Sequence, residues 1–274
     1  MVRIAACQLN LNVEDADFSL TQALDSISQA ISNKAEIIVL PELSTSGYCF
    51  KDIDEVKASS QSLDGEFIEK CEQLAKENDV VIIAGMNLEY ESKYWNASVA
   101  IDKSGLLGWY AKAHLFGDEG KFFTPGDLPP LVVNTSKGRI ATMICYDIEF
   151  TEWVRLAMLQ GAQLLALPTN WPEIGQTKTS PPMEVIRVQA AASQNKLVIV
   201  AADRCAIERE QDWVGSSVIT SSEGVIISLA DSAIDLKTQI IYADVELPTD
   251  TSITDKNDIR KDRRPSLYSP ILDR

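Results

Sequence analysis

The chain has 274 residues, 45% of them hydrophobic and 24% charged, with 25 Lys and Arg against 40 Asp and Glu for a net charge of −15. That length suits two average domains or one large α/β domain with a substantial core, and the composition is that of an ordinary globular protein. The excess acid argues against a nucleic-acid backbone or an anionic membrane as partner, since both are held through Lys and Arg, but leaves room for a cationic small molecule.

No apolar run approaches the length of a membrane span. The opening stretch "MVRIAACQLNLNVEDADF" shows no charged n-region or cleavage site, so the expected location is cytoplasmic. The five cysteines, Cys7, Cys49, Cys71, Cys145 and Cys205, are scattered without a C-x-x-C pair, which suits free thiols in a reducing compartment. His114 is the only histidine, so a His-rich metal site is excluded, and any Cys-His or Ser-His dyad would have to use that residue.

Along the chain, Leu20, Leu24, Ile27 and Ile31 recur at helical spacing, followed by the strand-like "IIVL" (37–40). A second helical pattern from Phe67 through Cys71 and Leu74 leads into "VVIIAG" (80–85). "NASVAIDKSGLLGWY" (96–110) reads as two strands joined by a Lys-Ser-Gly turn. "RIATMIC" (139–145) predicts a strand and "TEWVRLAMLQGA" (151–162) a helix. Then come "LLALP" (164–168), a helix across 183–195, "LVIVAA" (197–202) and a hairpin over 215–229. The order strand, helix, strand, hairpin occurs twice, which predicts an internal repeat of two similar sheets with helices outside. From about residue 247 the periodicity stops. This charged tail is either solvated or an arm that docks on a partner subunit through Leu267, Tyr268 and Ile271.

Three polar residues follow directly on apolar strands: Glu42 after "IIVLP", Lys112 after "LLGWYA", and Cys145 at the end of "IATMIC". Sites in α/β sheets form at the carboxyl ends of strands, so these side chains are expected to converge. Taken singly, each has a plainer explanation as a return to solvent or a core thiol. Together they form a nucleophile with its helpers. The acids that crowd Cys145 (Asp147, Glu149 and Glu152) oppose a thiolate, so its activation needs an offset. A strand-to-helix elbow would put Cys145 near a helix N-terminus, which lowers a thiol pKa. Lys112 would add a fixed positive charge and Glu42 a general base.

The segments "LPELSTSGY" (40–48), "YAKAHLF" (110–116) with "FTPG" (123–126), and "ICYDIEFTE" (144–152) resemble the three catalytic blocks of the nitrilase superfamily of carbon–nitrogen hydrolases. The resemblance covers nearly the whole chain, including "RIAACQLN" and "DRRPSLY". It implies a single domain over 1–274 with a four-layer α-β-β-α sandwich, and a Glu-Lys-Cys triad of Glu42, Lys112 and Cys145. It also implies a supporting glutamate, best matched by Glu119 with Asp118 competing, and an oxyanion donor in the Tyr146 N–H. His114 looks structural, bonding its loop. Neither metal nor organic cofactor is implied. A homodimer or larger assembly is.

Within the superfamily, hydrolases of N-carbamoyl amino acids clamp a carboxylate with arginines close after the cysteine. Here Asp147-Ile148-Glu149 stands there, with Arg155 a turn further on, which counts against such substrates and dicarboxylic ω-amides. The "CYDIEF" wording is closer to aliphatic and amino-amide amidases, so the expected substrate is a small neutral or cationic amide. Tyr48, Asn170 and Trp171 are the expected substrate-binding residues. The alternatives are a nitrilase, an N-carbamoyl-amine hydrolase, or a binding protein that keeps the fold without catalysis.

Overall fold

The computed structural model describes residues 1–175, 179–231 and 237–272. In the first half, β1 (Val2–Asn10), α1 (Ala16–Ser32), β2 (Ile37–Val39), α2 (Ile53–Ala58) and α3 (Glu66–Asn78) lead to the meander β3 (Val81–Tyr90), β4 (Lys93–Asp102) and β5 (Gly105–Ala111). The second half runs β6 (Leu131–Thr135), β7 (Gly138–Thr142), α4 (Thr151–Leu159), β8 (Leu164–Pro168), α5 (Met183–Asn195) and β9 (Val198–Ala202). After the two-residue strands β10 (Arg204–Cys205), β11 (Ile207–Glu208) and β12 (Gln211–Asp212) come β13 (Val218–Thr220), β14 (Ile226–Leu229) and β15 (Gln239–Val245).

Strand alternation explains the layering. Along β1, Ala5, Cys7 and Leu9 face α1 and α3, and pack with Ala23, Ile27, Phe67 and Cys71. Ile4 and Ala6 point the other way and meet Ile140, Leu164 and Val198 of the second sheet. That sheet turns Ala141, Leu165 and Ile199 onto Val154, Met158, Val185 and Val188 of α4 and α5. Sheets buried on both faces need continuous apolar strands, and "IIVL" and "LLALP" are of that kind. The result is the expected α-β-β-α sandwich.

The expected repeat is present in the topology. One sheet is ordered β1-β2-β3-β4-β5 and the other β7-β8-β9-β13-β14. In each, the first three strands are parallel and the next two antiparallel. Each sheet closes its other edge with an antiparallel strand, β15 against β1 and β6 against β7.

Two boundaries differ from the sequence reading. The strand expected through Cys145 stops at Thr142, and Cys145 opens a 3-10 helix, Cys145–Glu149, at a positive φ of 45° that no strand accommodates. The following helix ends at Leu159, where Gly161 turns the chain at φ 88°. In the tail, 3-10 turns at Pro265–Leu267 and Ser269–Leu272 leave Leu267, Ile271 and Leu272 exposed, while residues 273 and 274 lie outside the described residues. Among the described residues, no helix is long and apolar enough to cross a membrane.

Candidate active site

Glu42, Lys112 and Glu119 form a buried chain of charges. The Lys112 ammonium donates to Glu42 Oε1 at 2.7 Å and to Glu119 Oε1 at 2.6 Å. All three side chains are almost wholly inside the protein, where an unpaired charge would be prohibitive. Asn96, on β4, donates to Glu42 Oε1 at 2.6 Å, and its carbonyl accepts the Lys112 N–H. Glu119 also accepts the Tyr48 hydroxyl at 2.6 Å and the Phe116 N–H at 3.1 Å. Asp118, the competing choice, is on the surface and pairs with Lys121. Glu42 Oε2 is buried without a hydrogen-bond partner.

Cys145 lies beside this chain, and Glu42, Lys112 and Glu119 all act electrostatically on its sulfur. Its thiol donates to the Asn170 carbonyl at 3.8 Å. Burial, with Glu42 next, drives the thiol pKa well above its usual value against the pull of Lys112. This corrects the expected helix-end activation. The turn after Cys145 is a five-residue 3-10 helix, and burial holds the pKa of its thiol up. Burial also lifts Glu42 to about 7, with Lys112 opposing and Glu119 adding to the rise. Burial alone would lower the Lys112 pKa, but Glu42, Glu119 and Cys145 together raise it, so the ammonium stays charged.

The acid-rich sequence after Cys145 has a structural explanation. Asp147 turns away from the sulfur into a buried socket. There it accepts the Tyr110 hydroxyl at 2.8 Å, the Ile144 N–H at 3.0 Å, and the His114 N–H at 3.0 Å, with His114 Nδ1 2.7 Å away. His114 stacks on Phe150 at 3.7 Å, and Trp153 donates to the Tyr110 hydroxyl. Asp147 thereby fixes the backbone on either side of Cys145 at its positive φ. His114 is structural, as the resemblance implied.

A cavity of about 200 Å³ opens on Cys145, lined among others by Phe116, Tyr146, Trp171 and Ile174, with Glu149, Glu184 and Arg187. Trp171 is therefore a wall of it. Tyr48 stands instead behind Glu119, edge-on to Trp213 at 5.3 Å. The Asn170 side chain spends its N–H on the Glu42 carbonyl at 2.9 Å, while its Oδ1 is buried without a partner. Arg155 reaches the Gln194 carbonyl and does not line the cavity. The sequence reading missed Asn96, Asp147 and Arg187. Asn96 left one signal, an amide set in the apolar run "WNASVAI"; Arg187 shows in sequence only as a helical i, i+3 partner of Glu184. Among the described residues, no group of three or more His, Cys, Asp or Glu side chains could hold a metal ion.

A double-layered sheet core that gathers a cysteine, a lysine and a glutamate just beyond its strand ends, with a second glutamate from the 3-10 turn Gly117–Lys121, is the frame of a class of hydrolase. Residues 3–253 match the family described as carbon-nitrogen hydrolase, and the chain belongs to that family, within the nitrilase superfamily. It is 33% identical over 269 residues to a nitrilase of Pyrococcus abyssi, spanning 98% of this chain and 99% of that one. To an omega-amidase of Xenopus tropicalis it is 31% identical, spanning 92% and 91% of the two chains. The fold is similar to that of the amidase from Nesterenkonia sp. AN1, solved with acrylamide added at its active-site cysteine. There the TM-score is 0.78 at 23% identity, over 99% of this chain and 100% of that one.

Proposed function

We propose that the protein hydrolyses a small linear carboxamide to a carboxylic acid and ammonia, with Cys145 as nucleophile, Glu42 as general base and acid, and Lys112 as electrostatic partner. One observation carries this reading. Glu42 has one oxygen anchored by Lys112 and Asn96, and the other buried with nothing to bond. An unsatisfied buried carboxylate oxygen costs stability, and use as a proton carrier is a reason for a protein to bear that cost. A carboxyl near 7 is well matched to exchanging protons at neutral pH.

In the first half-reaction the Cys145 thiol gives its proton to Glu42 as sulfur bonds to the amide carbon. The carbonyl π pair moves to oxygen, where it meets an N–H of Lys112 and the backbone N–H of Tyr146. An ammonium has three hydrogens, and two are committed to Glu42 and Glu119, which leaves one for that oxyanion. As the C–N bond breaks, the proton on Glu42 passes to the leaving nitrogen and ammonia departs, leaving a thioester. Water then attacks the thioester carbon, Glu42 takes its proton, and the sulfur leaves to recover that proton as the thiol. Glu119 acts through Lys112, as a positioning residue.

The name of the Pyrococcus relative favours a second reading, in which the same thiol attacks a nitrile. Ammonia release from short aliphatic amides, ω-amino amides, carbamoyl amines and nitriles separates these readings. The expected result is turnover of amides and its loss in Cys145→Ala. Activity on a nitrile but not on its matching amide would replace the first reading by the second. Activity that survives in Cys145→Ala would end both.

A further inference from the structure

A buried ion pair from the second half of the chain reaches the loop after β2, and the proposed reaction does not touch it. Glu208, on β11, and Arg204, on β10, are both buried and pair at 2.8 Å between Glu208 Oε2 and Arg204 Nη1. Glu208 holds more than this partner. Its Oε2 also accepts the N–H groups of Tyr48 at 3.0 Å and Cys49 at 2.8 Å, and its Oε1 accepts that of Val13 at 2.8 Å. Gly47 lets the loop close this far: at its φ of 83°, a β-carbon would collide with Glu208 Oε1 and the Val13 backbone. The Arg204 guanidinium lies over the Trp213 ring at 4.5 Å, and that ring meets Tyr48 edge-on at 5.3 Å. A buried ion pair is weak evidence for stability, because desolvation offsets its attraction. A carboxylate that spends its oxygens on the N–H groups of a loop does fix where that loop lies.

The hydroxyl of the same Tyr48 donates to Glu119 Oε1 at 2.6 Å, the oxygen that also receives Lys112. Burial first, then the charge of Glu119, holds the hydroxyl's pKa well above its ordinary value, so it stays a donor. We infer that Glu208 is a positioning residue: it holds Tyr48, Tyr48 steadies Glu119, and Glu119 aims the Lys112 ammonium. The inference rests on the role given to Lys112 in the proposed amidase. Glu42, at the start of the same loop, has anchors of its own in the Thr169 carbonyl, Lys112 and Asn96. The influence of Glu208 therefore runs through the Tyr48 hydroxyl. A misaimed ammonium slows the chemical step without weakening the hold on substrate.

A double-mutant cycle of Glu208→Ala and Tyr48→Phe tests the inference, with ammonia release from a short amide read per folded protein. Glu208→Ala is expected to lower kcat about threefold to tenfold, as Tyr48→Phe does, with KM held within about twofold because neither side chain lines the cavity on Cys145. Added to Tyr48→Phe, it is expected to lower kcat by less than about twofold further, because the path is already cut. Where Glu208→Ala does not fold, Glu208→Asp takes its place; it keeps the charge beside Arg204 and draws the oxygens back by one methylene. In protein labelled with 3-fluorotyrosine, the Tyr48 fluorine signal, identified by its loss in Tyr48→Phe, is expected to move in the Glu208 variant. Losses that multiply, an unchanged kcat in a folded variant, or an unmoved Tyr48 signal would overturn the inference. So would failure of both Glu208 variants to fold, which would make the carboxylate a requirement of the fold alone. If the unsubstituted protein releases ammonia from no amide while the Tyr48 signal moves, the amidase proposal falls and the hold of Glu208 on Tyr48 stands.

Discussion

Each half of the sandwich carries one deeply buried carboxyl lifted to about 7 by burial, Glu42 beyond β2 and Asp203 beyond β9. Their surroundings differ. Asp203 accepts from the Thr169 hydroxyl and the Trp171 N–H on one oxygen, and from the N–H groups of Gly215 and Ser216 on the other. Every partner is a loop that must be held in place. Glu42 has a lysine and an asparagine on one oxygen and nothing on the other. The repeat makes Thr169, after "LLALP", the counterpart of Glu42, after "IIVLP", and the two meet through a backbone hydrogen bond of 3.4 Å. Similar titration therefore does not separate the two carboxyls. The open oxygen of Glu42 does.

The sharpest break of that comparison is to neutralise each carboxyl. Glu42→Gln keeps the shape and is expected to lower kcat/KM by about a hundredfold to ten-thousandfold with little change in thermal stability, since the lost group is the proposed proton carrier. Activity within tenfold of the unsubstituted protein would remove Glu42 from the chemistry. Next in size is pH. Because the base must be ionised and its carboxyl sits near 7, kcat/KM is expected to fall by up to about tenfold per unit below that point. A profile flat down to pH 5 would contradict it.

Asp203→Asn should show the opposite signature, a stability loss of about 1–3 kcal/mol in urea titrations, because a buried N–H group is turned against N–H groups. Its activity loss should be much smaller than that of Glu42→Gln. The deficit should also depend on pH. Burial raises the folded pKa of Asp203 from 3.8 to about 7, so the folded state keeps a proton that the unfolded chain releases. The stability this adds is fully present on the acid side and is lost as pH rises through that window. The urea deficit of the variant should therefore shrink between about pH 4 and pH 7; a deficit that grows would reverse the sign. The smallest effect is expected for Tyr48→Phe. It removes one donor from Glu119 while Lys112 and the Phe116 N–H remain, so kcat should fall only severalfold, by about 1 kcal/mol.

The sequence makes legible what depends on strand ends. Glu42, Lys112 and Cys145 each interrupt an apolar run, and the layers follow from runs apolar on both faces. What it hides depends on partners far along the chain. Glu119 separates from Asp118 only once Lys112 Nζ is placed 2.6 Å from one and the other is seen in solvent. That Asp147 turns from the sulfur can be expected of a residue just past an elbow, but its partners Tyr110 and His114 show only in the fold. The rise in the thiol pKa is hidden for the same reason, since burial is a property of the whole fold and no local spacing reports it.

The left-handed backbone at Cys145, φ 45°, implies an inverted order of preference among inactive variants. A side chain with a β-carbon costs about 1–2 kcal/mol in that region, and glycine is exempt. Cys145→Gly should thus melt above Cys145→Ala, although glycine ordinarily ranks below alanine inside folded elements. The backbone at this position would be more comfortable without a β-carbon, and the fold tolerates that discomfort where it carries a sulfur atom.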